Sequence, residues 1–187
     1  MAVRMTLALC AALALVGCAN SGTGPVPPKT AEKVSLERYQ GTWYELARLP
    51  MFFQRDCAQS EAHYSLQDDG KVAVLNRCRT ADGQWKQAKG EVWPQVEGKA
   101  DKLWVRFDNW ASSLAPALTK GDYWVLYLDD DYRLAVVGTP DHGNLWLLSR
   151  TPEVSPAVRD KLVEEARRRG YDTGKLIWRT ADAKIKG

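Results

Sequence analysis

Apolar and polar residues alternate with a period of two in short runs along most of the chain, the spacing of half-buried strands. The first run opens at Gly41-Thr42-Trp43-Tyr44-Glu45 and ends at Pro50. Others span Ala58 to Leu66, Lys71 to Arg77, Gln84 to Trp93, Lys102 to Asp108, Asp122 to Leu128, Tyr132 to Thr139 and Asn144 to Arg150. The connections Gln67-Asp68-Asp69-Gly70, Asp129-Asp130-Asp131 and Pro140-Asp141-His142-Gly143 are too short for crossover helices, so consecutive strands are antiparallel neighbours. Eight such strands predict an all-β fold, an antiparallel up-and-down β-barrel wide enough for one small ligand.

One segment follows a helical period instead. Ser155 suits an N-cap, Pro156 suits the first helical position, Val158, Leu162 and Ala166 share a face, and Gly170 can end the helix. The spacing predicts a C-terminal α-helix packed outside the barrel, with Arg167-Arg168-Arg169 in its last turn complementing the helix dipole. Lys175 to Trp178 then reads as a short final strand at the barrel edge.

The start of the chain carries a different pattern. Arg4, the apolar stretch Leu7 to Val16 and the small residues after it read as an export signal, too short to span a bilayer as an ordinary helix. Leu15-Val16-Gly17-Cys18 resembles the bacterial lipobox, which implies a signal peptide over 1–17 and an acylated Cys18. Ala19 follows the cysteine where Asp is absent, which in that resemblance implies sorting to the outer membrane. Residues 18–33, rich in Ser, Gly, Thr and Pro, are then a lipidated tether, 34–180 the barrel domain and 181–187 a tail.

Composition narrows the chemistry. The 187 residues are 45% hydrophobic and 26% charged, which suits one globular domain. A net charge of +3 with interspersed acids disfavours a nucleic-acid partner. Of four cysteines, Cys10 leaves with the signal and Cys18 takes lipid; folding the hairpin over 58–77 brings Cys57 and Cys78 to its open end, where an exported protein would join them. A free thiol at either position is the enzymatic alternative. His63 in a strand and His142 in a turn have no metal-ligand spacing, and no serine-hydrolase, zinc-protease or phosphate-loop motif occurs. No catalytic residue, metal or cofactor is expected.

GTWYELARLP at 41–50, YLDDDYRLAVVGTP at 127–140 and LWLLSRTP at 145–152, followed by a helix and a last strand, resemble the lipocalin family. The likeness is strongest to its bacterial outer-membrane lipoprotein branch, related in pattern to apolipoprotein D, and it covers about Val34 to Trp178. In the middle motif only Asp129 matches the common Thr-Asp-Tyr pattern. The resemblance implies that Trp43 crosses the barrel floor with Arg150 stacked over it, a cation-π contact of about 0.5–2 kcal/mol.

Counting in twos from these marks turns Glu45, Ala47 and Leu49 inward on the first strand and Trp146 and Leu148 inward on the eighth. Glu45 then needs a basic partner or a polar ligand head. Alternation in the fifth strand directs Leu103, Val105 and Phe107 to the cavity, while both faces of 122–128 are apolar or aromatic and leave Tyr123, Trp124 and Tyr127 without an assigned face. The apolar connection 109–121 has three candidate roles beyond packing on its own barrel: a lid, a membrane contact or a homodimer contact. The expected ligand is a fatty acid or lysophospholipid, carried at the outer membrane by a lipid-anchored domain facing the periplasm. The rival readings are a lipocalin-fold enzyme using a barrel cysteine and a structural envelope protein whose barrel is filled by its own side chains.

Overall fold

The computed structural model describes residues 26–108 and 120–186. The export signal, Cys18 and most of the apolar connection 109–121 lie outside these residues. Eight antiparallel strands form the wall: β1 (Gly41–Arg48), β2 (Cys57–Leu66), β3 (Val72–Thr80), β4 (Trp85–Val96), β5 (Lys99–Phe107), β6 (Gly121–Leu128), β7 (Leu134–Gly138) and β8 (Leu145–Ser149). Each pairs with the next, and β1 pairs with both β2 and β8, so the sheet closes on itself. The hairpin turn before β3 takes the form its sequence demands, with Gly70 at φ +80°, a region open to glycine at little cost.

A short final strand, β9 (Ile177–Trp178), lies antiparallel to Ala47 and Arg48 of β1. It occupies the edge that β1 presents after its pairing with β2 ends at Tyr44. The tail continues across β2, where Gln59 Nε2 donates to Thr180 O at 2.8 Å, and Ile185 is buried.

Of the described helices, α1 (Leu36–Tyr39), capped by the Ser35 hydroxyl, closes the bottom of the barrel. Four residues carry too little periodicity for the sequence to reveal it. The longer α2 (Pro156–Arg168) begins at its Ser155 cap as expected. Its Leu162 and Ala166 are fully buried on the outer barrel face against Leu46, Val136, Leu145 and Leu147. Arg169 fastens the end of α2 by donating from Nε to Leu126 O at 2.8 Å and to Lys29 O at 3.2 Å.

The last part of the expected tether is laid on the barrel. Pro28 is buried, Thr30 Oγ1 donates to Asp101 at 2.7 Å, and Ala31 N donates to Val125 O at 2.8 Å. Two apolar clusters result, one inside the barrel and one between its outer face and α2.

Candidate ligand-binding cavity

The barrel encloses a cavity of about 570 Å³, within the roughly 300–1,000 Å³ of small-molecule sites. Among the described residues, no side chains fill it. Its walls change character with depth. Lower down they are apolar or aromatic, with Tyr64, Val74, Val92, Tyr123 and Leu148, and Val105 and Phe107 continue the apolar wall up β5. Toward the mouth come Glu45, Gln54, Ser60 and the Cys57–Cys78 pair, with Phe53 at the rim, while Ala62 and Asn76 lie side by side midway.

Of the residues expected on the wall, Val105, Phe107, Trp146 and Leu148 line this cavity. Leu103 points into the barrel but deeper, against a separate small void near α1. Ala47 and Leu49 do not face the interior: both pack in the outer cluster beneath α2. The correction has a local cause. Trp43 and Glu45 face inward, but a bulge between Glu45 and Ala47 shifts the register by one. Beyond it Ala47 lies opposite outward Leu147, and Arg48 takes the inward place opposite Trp146. An extra residue in one strand reverses the parity of all that follow.

The bulge delivers the partner Glu45 requires. Arg48 Nη1 donates to Glu45 Oε1 at 2.9 Å, both side chains almost fully buried. Arg48 Nη2 donates to the carbonyls of Gln54 and Cys57 at 2.8 and 2.9 Å. Gln54 Nε2 donates to Glu45 Oε2 at 2.9 Å and to Ser60 Oγ at 3.2 Å, while its Oε1 accepts from Trp146 Nε1 at 2.9 Å. Burial pushes the Glu45 carboxyl above its ordinary value, opposed by the Arg48 charge and the Gln54 hydrogen bond. Gln54 thus joins the ion pair to the cavity tryptophan. Sequence reasoning missed it because it lies in a single 3-10 turn, Phe52–Gln54, which has no strand parity to count.

At the opposite end the Arg150 guanidinium stacks 4.0 Å from the Trp43 ring. It also donates to the carbonyls of Thr42, Tyr132, Arg38 and Tyr39. Trp43 Nε1 donates to Tyr39 O at 2.8 Å, tying α1 to the same floor. Tyr123, whose face the sequence left open, points inward, and Trp124 points outward. Tyr127 packs at the outer cluster as well.

Cys57 and Cys78 are joined in a disulfide with Cα atoms 5.4 Å apart, so neither is a free thiol. His63 is exposed on β2, with Nδ1 3.1 Å from Thr42 Oγ1. His142, expected in a turn, is half-buried, its ring tilted against Tyr171 and its Nε2 bonded to Arg169 O at the end of α2. Among the described residues no group of His, Cys, Asp and Glu is placed to hold a metal ion.

Among the described residues, a closed antiparallel wall surrounds a largely apolar cavity that is floored at one end and open at the other, which defines a ligand-binding barrel. The lipocalin-like domain profile matches residues 34–181. The chain belongs to the lipocalin family. It is 36% identical over 178 residues to outer membrane lipoprotein Blc of Escherichia coli (strain K12), covering 93% of this chain and 94% of that protein. Apolipoprotein D of Bos taurus is 34% identical over 168 residues, 82% of each chain. Insecticyanin from the tobacco hornworm Manduca sexta has the same fold, with a TM-score of 0.64 at 20% identity over 88% of this chain and 90% of that one.

Proposed function

We propose that this chain is a lipid-anchored carrier of the bacterial envelope that binds a fatty acid or lysophospholipid, acyl chain in the barrel and head at the mouth. The observation that carries the reading is the graded cavity, apolar below and hydrogen-bonding above, which matches an amphipathic molecule. Each buried methylene contributes about 0.8 kcal/mol, so a chain gains affinity by going down, while the head keeps its polar contacts at the mouth. The lipobox at Cys18 and the relatives named as outer membrane lipoproteins support anchoring of Cys18 in the outer membrane, and the reading puts the domain on the periplasmic side. The apolar connection 109–121 remains a candidate homodimer contact in this reading.

Mass spectrometry of lipid extracted from protein purified under native conditions tests the proposal directly. A carrier releases fatty acid or lysophospholipid. The delipidated domain then takes up the same lipids with quenching of tryptophan fluorescence, since Trp43 and Trp146 line the cavity. Absence of both signals would overturn it.

A further inference from the structure

Three tyrosines cross the lower barrel as one hydrogen-bonded row. Tyr39 Oη and Tyr123 Oη are 2.9 Å apart, and Tyr64 Oη donates to Tyr123 Oη at 3.0 Å. Their rings meet edge to face, with centroids 5.6 Å apart for Tyr39 and Tyr64 and 6.1 Å for Tyr64 and Tyr123. Burial pushes the Tyr64 phenol up to about 12 and raises Tyr39 and Tyr123 also, so all three stay neutral and able to donate.

This row divides the interior. Tyr64, Val92 and Tyr123 border the main cavity and also a void of about 10 Å³ beneath it, roughly the space of one water. Apart from the phenols, the walls of the void are apolar: Leu36, Val72, Val92 and Leu103. The partition is braced from below. Tyr39 comes from α1, stacks on Trp43 at 4.8 Å and receives the Trp43 indole hydrogen bond at its carbonyl. An acyl chain descending past Leu148 and Val105 therefore meets two rings that have nowhere to retreat.

We infer that Tyr64 and Tyr123 are the end stop of the cavity and set the longest hydrocarbon chain the barrel accepts. The inference rests on the carrier reading above and adds the residues that determine chain-length specificity. The rings form the barrier, held by their edge-to-face packing, and the hydroxyl row satisfies their buried polar ends.

The test is the affinity of a graded series of saturated fatty acids for the delipidated protein, followed by tryptophan quenching. For the wild-type chain, affinity rises about fourfold per added methylene, the equivalent of about 0.8 kcal/mol, up to a break and then stays level. In Tyr64→Val and Tyr123→Val the break moves to longer chains, because the lower compartment joins the upper. Tyr64→Phe and Tyr123→Phe retain the ring and keep the break. Leu103→Ala enlarges only the lower compartment and also keeps it, which maintains the test if a valine variant fails to fold. A break that stays put in folded valine variants, or that moves in Leu103→Ala, would overturn the end stop alone. No binding at any length by wild-type protein would overturn the carrier reading and the end stop with it.

Discussion

At the closed end the Arg150 guanidinium donates to four backbone carbonyls and covers the Trp43 ring, whereas toward the mouth the Arg48 guanidinium meets the Glu45 carboxylate beside the cavity. The two cations do different work. Arg150 is half-buried and needs no counter-ion, since neutral dipoles and a π face satisfy it while water reaches its edge. It gathers the start of β1, α1 and the β6–β7 turn into one floor. Arg48 is deeply buried, where a lone charge costs several kcal/mol, and its carboxylate partner keeps the mouth wall polar without filling it. Packing closes one end; a buried ion pair and a disulfide brace the wall near the other.

The largest effect expected from breaking this contrast is at the floor. Trp43→Ala removes the ring that both Tyr39 and Arg150 cover and should cost about 4 kcal/mol, seen as a lowered midpoint in thermal unfolding. At the mouth, Glu45→Ala leaves Arg48 buried and unpaired and should cost about 3 kcal/mol in urea unfolding, while Glu45→Leu with Arg48→Met should regain most of that loss. Cys57→Ser with Cys78→Ser should cost about 2 kcal/mol by the same measurement, less than the buried pair because β2 and β3 are already hydrogen-bonded neighbours.

The smallest effect concerns pH and the β7–β8 turn at the mouth. Thr139 Oγ1 at 2.6 Å and the Gly143 amide at 3.0 Å hold the Asp141 carboxyl below its ordinary value. The folded state thus binds that proton more weakly than the unfolded state does. The contribution is present above the ordinary carboxylate value of about 3.9 and is lost as pH falls through the lowered folded value. Asp141→Asn should lower stability slightly near neutrality and converge with the wild-type curve in acid, which flattens the acid limb of a stability-against-pH curve.

Much of the architecture was legible along the chain. The strand runs, the Asp69-Gly70 turn and the Ser155 cap with Pro156 are local signals, and each is decided by residues a few positions apart. The Trp43 and Arg150 contact was legible through the resemblance of two distant motifs to one family. Parts of the site were also open to counting: alternation placed Val105, Phe107, Trp146 and Leu148 on the cavity wall. The same counting failed at Ala47 and Leu49, because it presumes an unbroken ladder and β1 is not one. It gave no answer for 122–128, where both faces are buried, one inside the barrel against Tyr39 and Tyr64 and the other on the outer face beneath α2.

By itself the sequence determined the class of fold, the order of its strands, and the helix and its ends. Those follow from propensity, capping and hydrophobic period, which act between near neighbours. The tertiary structure alone decided which side of β1 faces the cavity beyond Glu45, that Arg48 and not a ligand pairs with that carboxylate, and that three tyrosines from α1, β2 and β6 meet across the interior. The bulge lets the end of β1 pair with β8 and β9 while Ala47 and Leu49 pack in the cluster beneath α2, and no single strand records those partners.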